Sequence, residues 1–202
     1  MSFTRAQWAV DFLKAIGNAA PAQDTISFVV GWSCFETNTN SGARFNLLNT
    51  TQPMNVAGVT DFNSVGVKNY PNYGVGIKAN AFTVLNGRYP FLASALLNND
   101  TAKLKNPTSG IVANIDAWGT GGSKAKSFIP TGANRGGDTF DYGSATSLGS
   151  LPPPITTQPN GPDNPTVGGG QFDWLTPQFI GKMSIGIGLV VIASIAMVRS
   201  IK

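Results

Sequence analysis

Apolar side chains recur at helical spacing through most of the first 118 residues, and the pattern then stops. Trp8, Phe12, Ala15 and Ile16 fall on one face of a first helix, opened by Thr4 and Gln7 at capping-box spacing. Asn18 to Pro21 interrupts it. A second helix is expected from Asp24 or Thr25, through Ile26, Val29, Val30 and Phe35, to Glu36. Residues 37–68 are rich in Asn, Thr and Gly and read as loops with room for a short β-hairpin. Further helices are expected from Asn72 to Leu85, from Tyr89 to Leu97 and from Thr108 to Trp118. The aromatic and aliphatic stripes on these helices are core positions.

Beyond Gly119 the texture changes. Gly-Gly pairs, Leu151-Pro152-Pro153-Pro154 and Gly168-Gly169-Gly170 leave little apolar periodicity. Residues 122–171 therefore read as a Gly/Pro-rich linker, part extended and part flexible, which a partner surface could order. Met183 to Val198 then runs without a charge, with Ser184 and Ser194 as its polar members. Counted from Phe179 the stretch is interrupted by Lys182, and twenty helical residues span about 30 Å, the thickness of a bilayer core. Phe172 and Trp174 sit where an interfacial aromatic belt would lie, and Arg199 and Lys202 close the far end. Residues 172–202 are thus expected to form a C-terminal hydrophobic anchor helix, in a membrane or packed within an assembly.

Charge adds a constraint. The net charge of +4 is spread thinly over a chain with 12% charged residues, unlike the dense Lys/Arg surface of a nucleic-acid binder. No nucleic-acid partner is expected. The chain has no histidine, which removes His-based triads and the usual zinc sites, so no metal and no cofactor are expected. Cys34 is the single cysteine, so no intrachain disulfide can form, and it reads as a small buried apolar residue. Met1 to Trp8 lacks the apolar core and cleavage site of a secretory signal. The basic C-terminus favours a cytoplasmic tail, and these two readings conflict unless the apolar environment belongs to a particle.

Hydrolytic or lyase chemistry, if present, must run on carboxylates. Glu36 is the only glutamate, and it ends an apolar helix just before the polar stretch Thr37 to Gly42. Burial disfavours the charged form of a carboxyl group, so an acid in such a place can keep its proton near neutral pH. The segments that follow are Arg44-Phe45-Asn46-Leu47-Leu48-Asn49-Thr50-Thr51-Gln52, Phe62-Asn63-Ser64-Val65-Gly66-Val67-Lys68-Asn69-Tyr70, Gly74-Val75-Gly76-Ile77-Lys78-Ala79 and Ala117-Trp118-Gly119-Thr120. In this order they resemble the lysozyme-like domain of actinobacterial phages and their hosts, which is distantly similar to soluble lytic transglycosylases and goose-type lysozymes. The resemblance covers residues 3–121. One departure is Asn46-Leu47-Leu48, where members commonly have Asn-Pro-Leu.

The resemblance implies a mainly α fold, with a lysozyme-like α-rich domain over residues 1–121 ahead of the linker and the hydrophobic helix. It implies that Glu36 is the catalytic acid. By the same resemblance Asn46, Thr50, Thr51 and Gln52 line the sugar cleft, and Asn63, Asn69 and Tyr70 form its opposite wall. Asparagines and threonines in such segments also serve as turn formers and caps. Glycoside hydrolysis generally uses two carboxylates. Asp24 should lie about 18 Å from Glu36 along one helix, which leaves Asp61 as the candidate second acid. A lytic transglycosylase needs one acid, which protonates the glycosidic oxygen and then takes the proton of the muramic acid C6 hydroxyl as it closes onto C1. The leading expectation is a peptidoglycan-cleaving muramidase of the transglycosylase type, carried in a phage virion, membrane- or tail-associated, for local wall penetration during genome delivery. Residues 179–202 would engage a membrane or other virion subunits. The alternatives are a structural virion protein with a degenerate lysozyme fold, used for assembly or glycan adhesion, and a host wall remodeller tethered to the cell membrane.

Overall fold

The computed structural model describes residues 2–39 and 42–143. Among them lie seven α-helices and two small antiparallel strand pairs. Strand β1 (Ser2–Thr4) leads into α1 (Arg5–Ala15), whose first turn is capped where the Gln7 amide donates to Thr4 Oγ1 at 3.1 Å. Helix α1 stops at Gly17, whose φ of 109° is the left-handed conformation that a glycine adopts without steric cost.

Helix α2 (Gln23–Glu36) is the centre of the domain. Thr25 and the whole run Ser27 to Ser33 are buried, so neighbours cover it on all sides. A helix with apolar residues all round requires such cover. Helices α3 (Tyr73–Val84), α4 (Pro90–Leu97), α5 (Thr101–Lys105) and α6 (Ser109–Trp118) follow. Asn72, Asp100 and Thr108 cap α3, α5 and α6 through their side-chain oxygens. Between α2 and α3 a loop carries β2 (Thr60–Asp61) and β3 (Lys68–Asn69), paired with Thr60 opposite Asn69 and Asp61 opposite Lys68. This is the short hairpin for which the sequence leaves room.

The linker expected from residue 122 does not start there. A 3-10 turn (Gly122–Ser127), helix α7 (Phe128–Arg135) and strand β4 (Thr139–Asp141) belong to the domain. Helix α7 lies directly on α2, backbone against backbone. A Cβ built on Gly31 would stand 1.8 Å from the Phe128 carbonyl oxygen, and one on Gly132 would stand 1.8 Å from that of Ser27. Strand β4 pairs with β1 in the register Phe3 to Phe140. Those two rings stack at 5.5 Å between centroids, inside a cluster with Phe45, Tyr73 and Tyr142. Buried Arg5 ties the region together. Its guanidinium donates to Ser33 Oγ at 3.0 Å and to the Thr37 carbonyl at 3.1 Å, lies 3.4 Å from Asp138 and covers the Phe140 ring. The boundary expected at residue 121 is therefore too early. Glycine reads as a linker residue in sequence, but here it allows two helices to touch.

One smaller expectation changes as well, and one helix is added. Helix α5 had no apolar periodicity to announce it. Cys34 is half-buried rather than buried, and partial desolvation pushes its thiol up. Among the described residues no helix is long and apolar enough to cross a membrane. Residues 144–171 of the expected linker and the anchor helix at 172–202 lie outside the described residues.

Candidate functional site

Glu36 is the last residue of α2, because Thr37 turns extended at φ −139° and ψ 129°. The loop beyond supplies the cap. The Asn49 side-chain amide donates to the Glu36 carbonyl, and the Thr37 hydroxyl donates to Asn49 Oδ1 at 3.2 Å. Asn49 can hold this position because it adopts a left-handed φ of 52°, which asparagine tolerates better than most residues.

The carboxyl group of Glu36 meets a second segment. The Thr120 hydroxyl donates to Glu36 Oε1, and the Trp32 indole N–H donates to Thr120 Oγ1 at 3.0 Å. Trp32 lies one helical turn before Glu36, so both side chains project from the same face of α2. Thr120 comes from the turn after α6, between Gly119 at φ 108° and Gly121 at φ 90°. These two left-handed glycines reverse the chain tightly enough to return the threonine to α2. Asp116 fixes the turn by accepting from the Gly122 amide. Trp118 packs edge-on against Trp32 at 4.8 Å and donates its indole N–H to the Leu48 carbonyl at 3.0 Å.

The Glu36 carboxyl is half-buried, and desolvation raises its pKa above the ordinary glutamate value. Three weaker influences act the other way: the Thr120 hydroxyl, the charge of Lys124, and the Asn49 amide. Lys124 itself lies over the exposed Phe35 ring, 5.6 Å from its centroid. The balance describes an acid that keeps its proton longer than a solvated glutamate while remaining able to ionise.

The residues expected to line a cleft are placed differently. Asn46 is fully buried. It donates to the Thr50 carbonyl at 2.8 Å and the Lys68 carbonyl at 2.7 Å, and accepts from the Thr50 amide at 2.9 Å. Thr50 is buried and bonds Thr83. Tyr70 is buried and donates to the Gln52 carbonyl at 2.9 Å, while the Gln52 side chain turns to the Pro53 carbonyl. Asn69 accepts from the Arg44 amide at 2.8 Å. Asn63 closes its turn by accepting from the Val67 amide, four residues on, at 3.1 Å, and Thr51 is exposed. These side chains hold one another's segments together, and their hydrogen bonds go mainly to backbone. Asp61, the candidate second acid, is solvent-exposed and ion-paired with Lys68 across the hairpin.

The partners of Glu36 are thus Thr120, Trp32, Asn49 and Lys124. Only the motif Trp118-Gly119-Thr120 and the turn spacing of Trp32 could have pointed to any of them in sequence. Among the described residues no group of three or more His, Cys, Asp or Glu side chains could hold a metal ion. No family model, curated protein or solved structure matches the chain.

Proposed function

We propose that this protein is a peptidoglycan-cleaving muramidase of the lytic transglycosylase type. It would be carried by a phage virion and open the cell wall locally during genome delivery. The observation that supports the reading most is the setting of Glu36. It is a single desolvated carboxyl group at a helix end, held by a hydroxyl and carrying no ion-pair partner within bonding distance among the described residues. A residue that first gives a proton and then takes one back must be stable in both states, and opposing influences of this kind favour that balance. Asp61, exposed and paired with Lys68, is poorly disposed to act as a second carboxylate, which favours transglycosylation over hydrolysis. Residues 179–202 would anchor the chain to a membrane or to other virion subunits. Replacing Ile187 and Val191 by Asp should then abolish membrane association or incorporation into particles.

The test is digestion of purified peptidoglycan by the full chain in mild detergent, with mass spectrometry of the products. Products ending in 1,6-anhydromuramic acid are expected, and reducing-end muramic acid would instead indicate hydrolysis. A second reading, a structural virion protein with a degenerate lysozyme fold, draws on the inward use of Asn46, Thr50, Asn69 and Tyr70. It requires a chain that releases no fragment at all.

A further inference from the structure

The hydrogen-bond chain at Glu36 favours one direction. An indole N–H donates and cannot accept. Trp32 Nε1 therefore spends its proton on Thr120 Oγ1, at 3.0 Å. The hydroxyl has one proton of its own, and the acceptor within reach is Glu36 Oε1. Thr120 is 5% exposed and Trp32 is fully buried, so water competes little for either group. The donors on this side of the carboxyl group are thus set by the indole and by the turn between Gly119 and Gly121; a proton on Oε1 would have to take the second lone pair of the Thr120 hydroxyl and turn the hydroxyl's own proton away from the carboxyl group, which favours the same order in the protonated acid.

We propose that Thr120 is a positioning residue for Glu36: with Trp32 behind it, it locks the carboxyl rotamer through Oε1 and so confines the exchangeable proton to Oε2. The inference rests on the reading of Glu36 as the acid. In the protonated state Oε1 accepts from Thr120, and the proton on Oε2 is the one given to a leaving oxygen. In the ionised state the same hydroxyl steadies the carboxylate, and Oε2 is free to take a proton back. One oxygen handles both transfers, and the carboxyl group need not rotate between them. The other groups that act on Glu36 are the ammonium of Lys124, from the 3-10 turn, and the amide of Asn49, from the loop after α2. Neither of them is committed to one acceptor in this way, because an ammonium and an amide nitrogen each carry several protons.

The chain offers an unusually direct test. Because Glu36 is the only glutamate, labelling glutamate at its side-chain carboxyl carbon gives one glutamate carboxyl signal to follow by NMR in the full-length protein, held in detergent micelles. In the wild type the signal should titrate, and the indole N–H resonance of Trp32 should move with the same midpoint, since it reads Glu36 through the shared Thr120 oxygen. Thr120→Val, which replaces the hydroxyl by a methyl of similar size, should raise the midpoint and uncouple the indole from it. Thr120→Ser should restore both. On peptidoglycan, Thr120→Val should lower kcat by about tenfold or more with little change in KM, the expected scale for a misplaced reacting group, and should move the alkaline limb of the pH profile upward. A folded Thr120→Val protein with an unchanged midpoint would overturn the proposal. So would a Trp32 indole that ignores the titration in the wild type, a measurement that needs no variant to fold. If the wild type cleaves nothing, the enzymatic reading fails while the titration still decides whether Thr120 positions Glu36.

Discussion

The corner around Glu36 and the loop from Arg44 to Tyr70 are built from the same kinds of polar side chain, put to opposite uses. In the loop, Asn46, Asn69 and Tyr70 each bond a backbone group of a neighbouring segment and Asn63 bonds one within its own turn, so these bonds hold the chain in place. At the corner, Thr120 and Trp32 bond side chain to side chain, and the group at the end of the series is an acid. The two carboxylates make the same contrast. Asp61 is exposed and neutralised by Lys68, whereas Glu36 is desolvated and has a hydroxyl rather than a cation on its oxygen. A loop without regular structure needs internal bonds to define its shape. A reactive group needs neighbours that orient it without satisfying it completely.

The sharpest test of this contrast is Glu36→Gln. Removing a general acid should cut wall cleavage by about 10²- to 10⁴-fold. Circular dichroism should show the fold intact. Stability should change in the opposite sense. Burial raises the pKa of Glu36, so the folded chain holds the proton more tightly than the unfolded one. The contribution of this group to stability is then complete below the unfolded value of about 4.3 and is lost as pH rises through the higher folded value. Glu36→Gln should therefore match the parent in acid and gain on it towards neutral pH, as read by thermal melts across that window. A parent that gains on the variant with rising pH would contradict the desolvated setting.

Cutting the chain after residue 121 should break the corner in another way. It removes α7 from α2 and Asp138 from Arg5 and leaves much of α2 uncovered. The fragment 1–121 should fail to fold by circular dichroism, whereas 1–143 should fold. Equal folding of the two would mean that α7 is an accessory to the domain.

Asn46→Ala addresses the loop. It leaves the Lys68 carbonyl and the Thr50 amide without this partner, at about 1–3 kcal/mol for each buried group left unsatisfied, while the Thr50 carbonyl keeps the Lys68 amide at 3.2 Å. Denaturant melts should show a loss on the scale of one to two such groups, and any fall in activity should follow the loss of folded protein. An Asn46→Ala protein of normal stability and low activity would instead make Asn46 a substrate contact. The smallest effect is expected for Asp61→Asn. An exposed ion pair contributes about 0–1 kcal/mol, and wall cleavage should stay within about twofold of the parent. A large loss of activity would restore Asp61 as the second acid and favour hydrolysis.

The sequence was sufficient for most of the helices, because caps and 3.6-residue periodicity are local properties. Thr4 caps α1 as its spacing to Gln7 predicts, and Asn72 and Thr108, expected as helix starts, prove to be the caps of α3 and α6. Glu36 could be singled out as the lone glutamate at the end of an apolar helix. The inward roles of the loop residues could not be read, since the same asparagine can face a ligand or a backbone carbonyl and only folding decides which. Residues 122–143 have the composition of a linker and fold as part of the domain. Their order depends on Gly31 meeting Phe128, Gly132 meeting Ser27, and Phe3 meeting Phe140, all of them contacts between segments far apart in the chain. The approach of Thr120 to Glu36 is of the same kind. Local chemistry set where the helices start and stop, while the partner of the acid was decided only in tertiary structure, by two left-handed glycines and the packing of α6 and α7 around α2.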